Sequence, residues 1–188
     1  MDESLLIHNQ VTDAVLSRRT VRSYSGQKLT EQQLQTLMQC ALWAPSGRNA
    51  QPCLVRVVQN KEMLDRLNRD FKDTVGWDTP AYTRWDSNPV YQTAPCMFFL
   101  FAESDARVDA GIMVENIAIA AKGIGLDSCI IASVGALFDG PFASKWKELL
   151  RVPHTAGFMI SIAVGNGLEA PEPKPRRAEQ FLLIDSLD

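Results

Sequence analysis

Three arginines and a set of hydroxyls crowd into one octapeptide, Ser17-Arg18-Arg19-Thr20-Val21-Arg22-Ser23-Tyr24. Guanidinium forks at this spacing offer several charged N–H donors in fixed geometry to oxygens that only accept, the chemistry of a phosphate or a delocalised anion. A solvated basic turn is the other reading of the same eight residues. A second basic group, Lys174-Pro175-Arg176-Arg177, lies near the far end of the chain on a segment stiffened by Pro171, Pro173 and Pro175.

The second polar concentration is Ala44-Pro45-Ser46-Gly47-Arg48-Asn49-Ala50-Gln51-Pro52. Two prolines limit the freedom of this loop while it presents Ser46, Asn49 and Gln51, whose amides and hydroxyl suit the edge of a polar ring. It reads either as a binding loop or as an ordinary helix-to-strand connection.

Other catalytic chemistry is scarce. Cys40, Cys53, Cys96 and Cys129 are far apart and form no C-x-x-C pair, so they read as small apolar residues rather than as metal ligands or a dithiol. His8 and His154 are isolated, and no H-E-x-x-H or G-x-S-x-G motif occurs. No metal site is expected, and the pattern points to a cofactor that brings its own reactivity. Gly165-Asn166-Gly167-Leu168-Glu169-Ala170 fits a dinucleotide fingerprint in letters only. The prolines that follow forbid the helix that the fingerprint requires.

The elements that must position these residues are legible from periodicity. Apolar residues between about Ser4 and Ser17 predict a first helix that delivers the arginines. Thr30 and Gln33 form a capping box ahead of Leu34, Leu37, Met38, Ala41 and Leu42, so a second helix leads to the proline-flanked loop. A strand follows over Cys53 to Val58, then a short helix around Met63, Leu64 and Leu67. Lys72 to Thr93 shows no period and holds Trp77, Tyr82, Trp85 and Tyr91, either core satellites or a binding wall. Cys96 to Ala102 reads as a strand buried on both faces, and Asp109 as the cap of a helix over Ala110 to Gly123 that is apolar nearly all round. A strand at Ser128 to Ser133, a helix at Phe142 to Leu150 and a strand at Gly157 to Val164 complete the body. The apolar run Phe181-Leu182-Leu183-Ile184 cannot bury itself and is expected to dock on this sheet or on a partner's.

The 188 residues fit one domain, 1–188, and 46% hydrophobic content supports a real core. A net charge of -3, from 19 basic and 22 acidic residues, gives no field that favours nucleic acid or a membrane surface. No apolar run is long enough to span a bilayer and the start lacks a signal-peptide pattern, so a cytoplasmic protein with a small-molecule partner is expected.

In order along the chain, these segments resemble the nitroreductase family of FMN-dependent flavoenzymes. The resemblance rests on Arg18 to Arg22, the Pro45 to Pro52 loop, Asp109-Ala110-Gly111, Gly125-Leu126 and the Lys174 to Arg177 tail. It implies an α+β fold with a central, mainly antiparallel sheet flanked by helices, in an interwoven homodimer with FMN at the subunit interface. Residues 171–188 would be an arm reaching the partner subunit.

Position by position, the resemblance implies that Arg18, Arg19 and Thr20 bind the FMN phosphate and ribityl end, joined by Lys174 and Arg176. Arg22 would lie by N1 and O2 of the flavin. Pro45, Ser46, Asn49 and Gln51 would line its ribityl and pyrimidine side, Asn88 would stand near the site, and the backbone at Ala132 and Ser133 would face N5. The implied activity is two-electron, ping-pong hydride transfer from NAD(P)H to nitroaromatic, quinone or similar acceptors. Dehalogenation, flavin breakdown or a flavin-binding module without turnover are the alternatives on the same scaffold. Cys53 and the Ile130-Ile131-Ala132-Ser133 stretch depart from residues seen in many or some members of the family, so the resemblance implies FMN binding but carries over no substrate preference from a particular subgroup.

Overall fold

A computed structural model describes residues 3–79 and 89–184. Its centre is a four-stranded sheet, β1 Leu54–Val58, β2 Cys96–Ala102, β3 Asp127–Ile131 and β4 Gly157–Gly165. The strand order is β1-β2-β4-β3 and every pairing is antiparallel, in line with the expected α+β architecture.

β2 is buried along its whole length, as its unbroken apolar run requires. Its side chains alternate between two cores. Met97, Phe99 and Phe101 face one layer with Leu64, Phe71, Phe138 and Trp146. Cys96, Phe98 and Leu100 face the other with Leu37, Ala41, Val114 and Ile117. The helices are α1 Gln10–Ser17, α2 Glu31–Leu42, α3 Lys61–Val75, α4 Arg107–Gly123, α5 Gly135–Asp139 and α6 Ala143–Leu149.

Helix α2 starts as its letters demand. Thr30 accepts from the Gln33 N–H while the Gln33 side chain accepts from the Thr30 N–H. Helix α1 is shorter than expected, because Asn9 caps it at Gln10 and the residues at Glu3–Leu5 form only a separate single turn.

Helix α3 is longer than its three leucine-type markers suggest. Its final turns are held by Asp70, which accepts from Trp146 Nε1 at 2.7 Å and from Lys145 Nζ at 2.6 Å. That tertiary anchor carries the helix to Val75, so the aperiodic segment expected from Lys72 begins later. Within it, Tyr91 belongs to the core and Trp77 is exposed, while Tyr82, Trp85 and Asn88 lie outside the described residues.

Helix α4 begins at Arg107, so Asp109 stands inside its first turn rather than at its cap. Its two apolar sides find partners within the chain, since α4 packs on β3 and β4 and also on α1 and α2. Val108 and Ile112 nevertheless remain exposed near its start, as do Val11, Val15 and Leu16 on α1. Among the described residues, no helix is long and apolar enough to cross a membrane.

Candidate functional site

The arginine stretch leaves α1 at Arg18, whose extended backbone ends the helix. Arg19 folds one nitrogen back on the helix terminus, donating from Nη1 to Leu16 O at 2.9 Å and to Arg18 O at 2.8 Å. Thr20 then forms a parallel bridge to Ser128, and the Val21 N–H donates to Ser128 O at 3.1 Å. Because β3 is the last strand, the arginine stretch covers its open edge.

Two residues later the chain is clasped by the exit of β4. Ser25 N–H donates to Asn166 O at 3.0 Å and Leu168 N–H to Ser23 O at 2.9 Å, around an antiparallel bridge between Tyr24 and Gly167. The Glu169 carboxylate accepts from the Arg22 N–H. Tyr24 is buried, with its hydroxyl donating to Val21 O at 2.7 Å.

This clasp explains the glycine pattern that imitates a dinucleotide fingerprint. A Cβ on Gly165 would stand 2.6 Å from Pro95 Cδ, and one on Gly167 would stand 2.6 Å from Asp127 Oδ2. The glycines permit close packing, and the chain beyond them runs on without a helix through Arg177.

Electrostatics tie the members of this corner together. Burial pushes the Cys129 thiol up to about 11, while Arg22 and Arg18 pull it down and Glu169 raises it. Arg18, Arg22 and Glu169 therefore all act on one buried point of β3. Ser128, in register with Thr20, keeps a buried hydroxyl with no hydrogen-bond partner among the described residues.

The Pro45–Pro52 loop forms the second corner. Arg48, Asn49 and Gln51 are left-handed, at φ 55°, 57° and 47°, conformations that are costly outside glycine. The loop is held by Gln51 N–H to Ser46 Oγ at 3.0 Å, Gln51 Nε2 to Asn49 Oδ1 at 3.2 Å, and Gly47 N–H to Asp109 Oδ1 at 3.0 Å.

Those bonds decide what the loop still offers. Ser46 and Asn49 have used acceptors and keep the hydroxyl O–H and the Nδ2 amide as donors, whereas Gln51 keeps its Oε1 as an acceptor. Beneath the loop lies a cavity of about 430 Å³ between α2, β1 and α4, walled by Met38, Leu42, Pro45, Cys53, Asp109 and Met113. Burial, followed by the Asp109 carboxylate, raises the Cys53 thiol.

The two corners do not meet within one copy. Thr20 lies outside β3, level with Val164 and Cys96, while Leu54 opens β1 at the opposite edge, level with Phe101 and Phe158. Four strand spacings of about 4.8 Å plus the offset along the strands separate them by on the order of 25 Å. Ala132 and Ser133 leave β3 at the end of the sheet where β1 begins, with their carbonyls accepting from Gly135 and Ala136 as α5 opens. Lys174 and Arg176 sit on the exposed, extended tail and make no ion pair among the described residues. Asn88 lies outside the described residues.

Asp109, Glu169 and Ser128 were not singled out for these places from the sequence. Asp109 carries a signal, its position in the Asp-Ala-Gly triplet, which in the sequence is indistinguishable from a helix cap. Glu169 and Ser128 earn their places through contacts between residues distant in the chain, which leave no local pattern.

With this geometry in view, residues 15–166 match the sequence profile described as the Nitroreductase family. The chain belongs to that family. Among the relatives of this nitroreductase-family chain is the NADPH-flavin oxidoreductase of Vibrio harveyi, 24% identical over 89% of this chain and 70% of that protein. The FMN reductase (NADPH) of Bacillus subtilis strain 168 is 23% identical over 92% of this chain and 72% of its own. In three dimensions the chain is similar to a nitroreductase with bound FMN from Desulfitobacterium hafniense DCB-2. The TM-score is 0.87 at 24% identity, covering 95% of this chain and all of that one, which establishes the fold.

Proposed function

We propose that this chain is an FMN-dependent NAD(P)H oxidoreductase that works as a homodimer, with each cofactor site composed from two copies. The observation that carries the reading is the separation of the two corners. One corner supplies guanidiniums suited to a phosphate and the other supplies two donors and an acceptor suited to a pyrimidine edge, about 25 Å apart in one copy. A second copy would bring a loop to each arginine stretch. The relatives named for flavin and FMN reduction and the FMN-bound neighbour support the cofactor.

The residues present fit FMN. Its phosphate accepts only, as the donor set of Arg18, Thr20, Lys174 and Arg176 requires. The dioxo-pyrimidine edge alternates acceptor, donor and acceptor, matching what Ser46, Asn49 and Gln51 retain after their internal bonds. The homodimer is further supported by exposed apolar side chains on α1 and α4, by Trp43 at 80% exposure, and by the unpartnered Phe181 to Ile184 run of the arm.

When bound, FMN supplies two-electron chemistry, alternating between a reduced nicotinamide and an electron-poor acceptor such as a nitroaromatic or quinone. The chain's part is positional and electrostatic. Arg18 and Thr20 would anchor the phosphate end, with Arg19 beside them holding the α1 terminus through Nη1. Arg22, whose backbone N–H is held by the Glu169 carboxylate, would set its guanidinium on the N1 and O2 side of the bound ring, where a preorganised cation contributes about 3 kcal/mol as negative charge develops. The backbone at Ala132 and Ser133 would border the N5 side of the bound ring, and the Pro45–Pro52 loop would orient its pyrimidine edge.

The test is anaerobic. Purified protein should be yellow, release FMN on denaturation and lose its yellow colour on adding NADH or NADPH, regaining it with an acceptor. A protein that takes up no FMN overturns the reading.

A further inference from the structure

Arg48, Asn49 and Gln51, three left-handed residues within four positions, give the Pro45–Pro52 loop the densest run of positive-φ non-glycine residues among the described residues. Such conformations persist only where the surroundings over-determine them. The side-chain ties from Gln51 to Ser46 and Asn49 stay within the loop, whereas the Gly47 N–H reaches out to Asp109 Oδ1 at 3.0 Å. Asp109 stands in the first turn of α4, whose next turns are fixed by buried Ala110, Val114 and Ile117. Ala106 at the cap of α4 has no side-chain acceptor to cap it and the first helical N–H, that of Arg107, donates to Asp105 Oδ1 at 3.4 Å, while the Asp109 carboxylate turns to the loop.

We propose that Asp109 is a positioning residue: by holding the Gly47 N–H it sets Ser46, Asn49 and Gln51 in the arrangement that reads the ring edge of the flavin. The proposal rests on the FMN reading above. Cys53, on the wall of the same cavity as Asp109, reports on whether the joint is closed, because its half-buried thiol becomes accessible if the loop lifts.

The experiment compares full-length D109A, D109N and R18A with wild type for binding of FMN and of riboflavin by flavin fluorescence. The rate of Cys53 alkylation in flavin-free protein is read by mass spectrometry, with circular dichroism as the check on folding. D109A is expected to weaken FMN and riboflavin by the same factor, about tenfold or more, as loss of a hydrogen bond to a charged acceptor implies. D109N keeps an acceptor oxygen and recovers most of that loss, whereas R18A weakens FMN and spares riboflavin. D109A also speeds Cys53 alkylation.

Wild-type affinity of D109A for both flavins, or a loss confined to FMN, overturns the proposal. If D109A fails to fold, D109L, which keeps bulk but no acceptor oxygen, carries the test: an equal loss of about tenfold or more for both flavins with faster Cys53 alkylation upholds the proposal, and wild-type affinity or a loss confined to FMN overturns it. If wild type binds neither flavin, the FMN reading fails instead, and the alkylation arm decides the tether: faster labelling in D109A upholds it and an unchanged rate overturns it.

Discussion

Thr20 and Leu54 stand at opposite corners of one sheet, Thr20 bridged to Ser128 outside β3 and Leu54 opening β1 at the other edge. The arginines beside Thr20 and the amides ahead of Leu54 thus lie on the order of 25 Å apart in one copy, and the proposed site takes one set from each of two copies.

The anion-binding half is open to direct challenge. Arg18→Ala is expected to weaken FMN binding by about tenfold or more, the scale of a lost charge-assisted hydrogen bond, and Arg176→Ala to weaken it in the same direction. Equilibrium dialysis against FMN measures both. Unchanged affinity in both variants contradicts the assignment of these residues to the phosphate.

Close packing behind the arginine stretch gives a second prediction. A methyl group at position 165 would meet Pro95 Cδ at 2.6 Å and Tyr24 Cδ1 at 3.1 Å, both in rings that cannot turn away. Gly165→Ala is expected to destabilise the protein by about 1–3 kcal/mol, read from denaturant melts. A variant as stable as wild type would show that the β4 exit yields more readily than its packing implies.

Much of the fold was legible because its signals are local. The Thr30 capping box, the unbroken apolar run of β2 and the prolines that terminate the false fingerprint each act within a few residues. The five-residue helix α5 is too short to show a period, and α3 extends through Asp70, whose partners Lys145 and Trp146 lie far along the chain. The same limit governs the site. Residue types announced an anion clamp and a ring-reading loop, but the strand order that puts them at opposite corners is fixed by long-range pairing.

Asp65 supplies a prediction in pH. It accepts from Lys61 and from the Tyr91 hydroxyl, and these bonds, the Lys61 bond first, hold its carboxyl below its ordinary value. A depressed folded-state pKa adds stability that is fully present above the unfolded value of about 3.9 and is lost as pH falls through the folded value. Asp65→Asn should therefore be less stable than wild type at pH 7, with the gap closing as the pH drops below about 4. Paired thermal melts from pH 7 to about pH 2 check the sign, and a gap that stays constant across that range contradicts it.

Composition of the site from two copies is tested most directly by mixing defects. An Arg18→Ala chain and an Asn49→Ala/Gln51→Ala chain, carrying different affinity tags, are co-expressed and the heterodimer is purified through both tags. One site of that heterodimer would combine both defects and the other would be fully wild type. The expected result is one FMN per dimer bound with wild-type affinity, although each variant homodimer binds weakly. A heterodimer in which every site is weakened would show that the arginines and the loop of a single chain serve the same cofactor.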